Sequence, residues 1–99
     1  MYFIEKTIEF DRWLRKLKDV RAKAKILFRI QKIENDGHFG DCKGVGNGIK
    51  EMRIHFAKEY RVYFKEMNGK IILLLMGGDK SSQEIDIKKA KEIWNKLKK

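Results

Sequence analysis

The chain has 99 residues, with 24 Lys and Arg against 14 Asp and Glu, for a formal net charge of +10. That length suits one domain, residues 1–99, with a modest core. The single cysteine, Cys42, excludes an intrachain disulfide, and the longest apolar run, Ile71 to Met76, is too short to cross a bilayer. The two halves carry equal charge, 12 basic and 7 acidic residues each, so the whole domain is cationic and no basic tail is attached to a neutral one. Such a surface attracts polyanions: nucleic acid, a ribosomal surface or an acidic protein. Met1 to Lys6 lacks a basic stretch followed by a long apolar one, so a cytoplasmic protein with no membrane partner is expected.

Tyr2 to Ile4 reads as a short first strand. Thr7 can cap a helix whose first turn holds Glu9 and Asp11. Phe10, Trp13, Leu14 and Leu17 form one face of that helix. Asp19 can cap a second helix, with Ala22, Ile26, Ile30 and Ile33 as its apolar stripe and Leu27 beside it. Asn35-Asp36-Gly37 ends it. Residues 35–48 hold five of the eight glycines and read as a loop. Within it, His38, Asp41 and Cys42 match no zinc spacing and lack a fourth ligand, so neither metal nor cofactor is expected.

Two strands follow. Met52, Ile54 and Phe56 alternate with Glu51, Arg53 and His55; Tyr60, Val62 and Phe64 alternate with Arg61, Tyr63 and Lys65. Pairing Phe56 with Tyr60 keeps the apolar sets on one face. It also sets His55 opposite Arg61 and Arg53 opposite Tyr63. Asn68-Gly69 marks a tight hairpin turn into Ile71 to Met76, a strand covered on both faces. Ser81 to Glu84 has capping-box spacing and opens a last helix, with Ile87, Ala90, Trp94 and Leu97 as its packing stripe. Trp13 and Trp94 are expected as core anchors. The expected order is strand, helix, helix, three strands, helix. This is an α+β fold, with a helical hairpin packed on a mostly antiparallel sheet.

The order of elements, the segment Glu51-x-Arg53-Ile-His55 before Tyr60-Arg-Val-Tyr-Phe64, and Gly77-Gly-Asp-Lys-Ser81 before Asp86, Ala90 and Trp94 resemble the RelE/ParE toxin superfamily, nearest its addiction module killer or HigB-like branch. The resemblance covers nearly the whole chain. It implies the toxin of a type II toxin–antitoxin pair, bound by a cognate helix-turn-helix antitoxin from a neighbouring gene in a hetero-oligomer. RelE-like members are metal-independent endonucleases that cut mRNA on the ribosome by 2′-OH attack. ParE-like members share the fold but inhibit DNA gyrase without a nuclease site, and an inactive binding module is a third reading.

On the endonuclease reading, Arg61, Arg53 and Lys80 stand at or near basic positions of the family and would stabilise the phosphate oxyanion. His55 is the side chain most ready to titrate near neutral pH, and a place opposite Arg61 would hold it neutral, as a base. Tyr63 and Glu51 would contact substrate, Tyr63 by stacking on a base or orienting a phosphate, while Glu51 is also a rival base. The same residues can serve as ordinary strand-surface ion pairs. The chain departs from the RelE pattern in one respect: residues 81–99 contain no tyrosine or histidine, and this leaves the acid and base open.

Overall fold

Thr7 makes the first turn from strand to helix in the computed structural model, which describes residues 1–98. Its buried hydroxyl accepts the Phe10 N–H at 2.9 Å and donates to Leu75 O at 2.8 Å. One side chain thus caps α1 (Ile8–Lys16) and ties it to the sheet. Asp19 accepts from the N–H groups of Arg21 and Ala22 and opens α2 (Val20–Asp36); Gly37, at φ 67°, closes it in the left-handed conformation. The stripe of Ala22, Ile26, Ile30 and Ile33 is buried as expected.

Five strands form one sheet: β1 (Phe3–Lys6), β2 (Cys42–Gly46), β3 (Ile49–Ile54), β4 (Tyr60–Met67) and β5 (Ile71–Gly78). Their order is β1-β5-β4-β3-β2, with β1 parallel to β5 and the other pairs antiparallel. The helical hairpin covers one face. There Phe10, Leu14, Ile26 and Ile33 pack on Met52, Val62, Phe64, Ile72 and Leu74. α3 (Gln83–Leu97) covers the other, with Ala90, Ile87, Ile93 and Trp94 on Ile49, Tyr63, Leu73 and Leu75. The alternation of β5 thus feeds two separate cores, and the α+β expectation holds.

Four local expectations need correction. The segment expected as a loop contains β2, which pairs with β3 as an edge strand. Its glycines hide the strand pattern. The turn that makes it, Asn47-Gly48, has φ values of 59° and 75°, the same two-residue arrangement as Asn68-Gly69 at 55° and 69°.

The β3–β4 register is two residues away from the expected one. Ile54, not Phe56, lies opposite Tyr60, so Arg53 faces Arg61 and Glu51 faces Tyr63. A shift by two keeps every side chain on its face and changes only its partner. Two turns take up the extra chain: Phe56 N–H bonds Ile54 O, and Glu59 N–H bonds Phe56 O. Phe56 leaves the ladder and packs beneath Arg21 and Lys25 of α2, 5.7 and 5.0 Å from its ring centre.

The capping box does not form. Asp79, a stronger acceptor than a serine hydroxyl, takes both the Ser81 N–H (2.9 Å) and the Ser81 hydroxyl (2.5 Å) and starts a single 3-10 turn, Lys80–Ser82. Ser82 then donates to Asp86 Oδ2 at 2.5 Å. Finally, Leu97 is exposed and Trp94 only partly buried, so Ile93 replaces Leu97 in the packing stripe.

Candidate functional site

Glu51 lies on the α3 side of β3, because odd positions of β3 and β4 point away from the helical hairpin. Its neighbours across the ladder are Tyr63, directly opposite, and the Arg53–Arg61 pair two positions on. Gln83, the first residue of α3, reaches it from above. All four converge on this one carboxylate. Tyr63 donates to Oε2 at 3.2 Å and Gln83 at 2.8 Å. Arg53 Nε bonds Oε1 at 3.2 Å, and Arg61 Nε stands 3.6 Å from Oε2.

Burial sorts the cluster into a closed floor and an open rim. Glu51 and Tyr63 are fully buried and Arg61 is 9% exposed, whereas the Arg53 side chain is 29% exposed. Arg61 Nη1 donates to Glu59 O at 3.0 Å, while its Nε is buried with no hydrogen-bond partner among the described residues. Two guanidiniums share one carboxylate, so the cluster keeps one formal positive charge and can hold an anion. Burial beside Glu51 pushes the Tyr63 hydroxyl well above the usual phenol range, so it stays a protonated donor.

His55 is not part of this cluster, and the expectation of a neutral imidazole opposite Arg61 is corrected. It stands on the β3–β4 loop, 58% exposed, with Nε2 2.5 Å from Asp41 Oδ2 and Nδ1 2.9 Å from Glu59 Oε1. Asp41 first, then Glu59, raises its pKa above the ordinary histidine value. The same bond lowers that of Asp41. The two carboxylates therefore favour the protonated ring over the neutral one. Behind it, Arg29 of α2 donates to Arg53 O and Phe39 O, and Arg53 N–H to Asp41 O, which fixes the loop against β3.

Lys80 is exposed, and its N–H donates to Lys58 O at 3.2 Å. The start of α3 and the β3–β4 loop are thereby joined, and Lys58, Asp79, Lys80 and Ser81 line a shallow pocket of about 440 Å³. The structure thus brings Glu51, Arg53, Arg61 and Tyr63 together and places His55 and Lys80 on its margins. Gln83, Glu59 and Lys58 join these groups without having been singled out in the sequence, although Gln83 lies within the stretch with capping-box spacing. Asp41, considered there only as a metal ligand, joins them as the partner of His55.

A family model described as Phage derived protein Gp49-like (DUF891) matches residues 12–98. The chain belongs to this family. A Haemophilus influenzae sequence, named only as an uncharacterized protein, is 52% identical over 94 residues, covering 95% of this chain and 94% of its own. Among solved structures, the Gp49-like chain is similar to the E. coli toxin RelE, as a mutant in the free state, with a TM-score of 0.72. Sequence identity is 14%, and the likeness covers 92% of this chain and 95% of that one. It is also similar to a chain of the intact E. coli RelBE toxin-antitoxin complex: TM-score 0.66, 14% identity, 80% of this chain and 96% of that one. The Gp49-like chain therefore has the RelE toxin fold. At 14% identity the likeness carries the fold, and any role for Glu51, Arg53, Arg61 or His55 rests on their own geometry.

Proposed function

We propose that this protein is the toxin of a toxin–antitoxin pair, and that it cuts mRNA on the ribosome. The observation that carries the reading is the half-open guanidinium cluster, set within a RelE fold and bordered by His55, Lys58 and Lys80. Arg53 is the phosphate contact, since it keeps accessible surface while Glu51 orients it. Lys80 and Lys58 add positive charge from the other side of the β3–β4 loop. A ribose 2′-oxygen attacks phosphorus and loses its proton to solvent. The bond to the 5′-oxygen breaks, and His55, whose protonated form Asp41 and Glu59 favour, gives that oxygen a proton. Arg61 and Tyr63 act through Glu51, as positioning residues. In this metal-independent reading, Arg53 with Lys58 and Lys80 supplies the positive charge that stabilises the phosphate oxyanion.

The likeness to a chain of the RelBE toxin-antitoxin complex supports an antitoxin partner; on this reading it is a helix-turn-helix protein from a neighbouring gene. A second reading has one specific observation in its favour. Arg61 and Tyr63 bury themselves against Glu51, so part of the expected nuclease surface is turned inward. A gyrase inhibitor of the same fold would need no such surface. Induced expression with mapping of mRNA 5′ ends separates the two. Cuts inside translated frames support the nuclease. Intact mRNA with gyrase-dependent DNA breaks supports the inhibitor.

A further inference from the structure

We infer that the groove between α1 and α3 is a binding site for a free nucleotide, separate from the arginine cluster. β1 ends at Lys6, opposite Leu74, whereas β5 runs on to Gly78. The sheet is therefore one strand narrower at that end. There α1, from one face, and α3, from the other, border a cavity of about 480 Å³, a volume in the range of small-molecule sites. Its apolar floor is Trp13, Met76 and Ile93, all half-buried. Trp13 is fixed from behind. A Cβ at Gly77 would overlap its six-membered ring, so the indole lies against bare backbone, and it packs on Phe10 with ring centres 5.7 Å apart. The expected core anchor thus also lines the cavity, and a rigid, partly open indole is a platform for another flat ring.

The charges round the floor define the ligand. Arg12 and Lys16 on α1 and Lys89 and Lys96 on α3 set four cations against the two carboxylates of Glu9 and Glu92. None of the six is in an ion pair among the described residues. The excess of positive charge calls for an anion, and cations on both helices suit a phosphate held from two sides. The carboxylates call for N–H donors on the same ligand. A nucleotide meets all three demands: its base stacks on the indole, the amino and ring N–H groups of the base donate to Glu9 or Glu92, and its phosphate lies among the lysines. A fatty-acid anion would cover the floor but leave the carboxylates without donors, and inorganic phosphate would leave the indole unused.

A cavity of this size holds one nucleotide, and none of its lining residues belongs to the Glu51 cluster or to the pocket of Lys58 and Lys80. Both facts favour a free nucleotide over a stretch of an RNA strand. The inference does not depend on the nuclease reading, since it uses none of the residues assigned to cleavage. A ligand seated there joins the two helices that grip the sheet from opposite faces, so binding should also raise the melting temperature.

The test uses the full chain with GMP as the probe, since guanine presents adjacent N–H groups on one edge. The chain has two tryptophans, so two indole N–H signals report binding by NMR. Trp13→Phe assigns them, and Trp94→Phe does so if the first variant fails to fold. Saturable movement of the Trp13 signal is expected while the Trp94 signal stays still, with a rise in melting temperature and an affinity that falls as salt rises. Ribose 5-phosphate and guanosine should each bind about tenfold more weakly than GMP, or worse. The double variant Lys16→Glu with Lys89→Glu, at two exposed positions, should lose about tenfold or more in affinity while circular dichroism shows it folded. A Trp13 signal that does not move at millimolar GMP overturns the inference. Equal binding of ribose 5-phosphate, tighter binding of decanoate or unchanged affinity in the folded double variant does the same. An RNA trinucleotide that binds about tenfold tighter than GMP assigns the groove to the RNA strand and also overturns it.

Discussion

Tyr63 and Glu51 face each other across β3 and β4, both fully buried, with the phenolic hydroxyl donating to Glu51 Oε2 at 3.2 Å. A carboxylate at this depth is tolerated because donors surround it: two arginines, the phenol and the Gln83 amide. The candidate site is therefore also a folding element, and stability and activity can be separated only residue by residue.

Glu51→Ala removes the shared acceptor and leaves Arg61 buried without a counterion. A loss of about 3–5 kcal/mol is expected, the range for breaking a buried ion pair from one side. Tyr63→Phe should cost only about 1 kcal/mol, since Gln83 still bonds the same oxygen. Urea denaturation of both variants checks the ranking. A Glu51→Ala protein as stable as the parent would show that the arginines find other partners.

Arg53 and Arg61 should behave differently despite standing opposite each other. Arg53→Ala is expected to lower ribosome-dependent cleavage by about 10²–10³, the scale of one electrostatic stabiliser, on top of a stability loss of about 1–3 kcal/mol as buried Glu51 Oε1 loses its hydrogen bond. Arg61→Ala should lower stability by about 1–3 kcal/mol, because Glu51 keeps Arg53 as a partner but loses one donor nearby. Lysine cannot copy the fork of Arg53, so Arg53→Lys should also be impaired. Cleavage of a defined mRNA on ribosomes, with thermal melts in parallel, distinguishes the two roles. Equal cleavage by parent and folded Arg53→Ala would remove Arg53 from the chemistry.

The pH dependence follows from His55. Its pKa is raised in the folded protein, so the stabilisation from its two carboxylates is fully present below the unfolded value near 6.5 and is lost as pH rises through the folded value. As a general acid, it should lose activity over that same upper range. NMR titration of the His55 ring, assigned against His55→Gln, measures the value directly. Asp41→Asn should lower it more than Glu59→Gln, because the Asp41 bond is the larger cause. A ring that titrates at or below 6.5 would remove the basis for an acid role.

Gly78 should be far less replaceable than Gly44. A Cβ at Gly78 would collide with the Asp86 carboxylate and crowd Ser82 Oγ, while one at Gly44 meets nothing within 4 Å. Gly78→Ala is expected to cost about 1–3 kcal/mol by pushing α3 off β5, and Gly44→Ala to stay within about 0.5 kcal/mol. Differential scanning calorimetry of the pair tests whether α3 is seated through this contact.

Helix boundaries were readable in the sequence because their signals are local. Thr7, Asp19 and Gly37 act on N–H and carbonyl groups within one turn. Faces were readable for the same reason, since alternation in β3 and β4 needs no knowledge of the partner strand. The register was not. It depends on how Phe56 balances a place in the ladder against the cations of α2, residues some 30 positions away in the chain. Gly44 and Gly46 carried no strand signal because a strand without side chains shows no alternation, and only the paired edge of β3 reveals it. The gathering of residues round Glu51 followed from the faces, but its burial did not. That required α3 to lie on the opposite side from the hairpin and to deliver Gln83, a side chain whose local pattern suggested a cap.

The parallel pairing of β1 with β5 joins residues 3–6 to residues 71–74, and Gln83 completes the floor beneath the arginines. Synthesis runs from the N-terminus, so the first strand must wait for its partner until three quarters of the chain has been made. Contacts of such long sequence separation form late and slowly. Until β5 and the start of α3 have been made, the chain can therefore neither close its sheet nor bring Gln83 to Glu51, and the arginines stand over an unfinished carboxylate site.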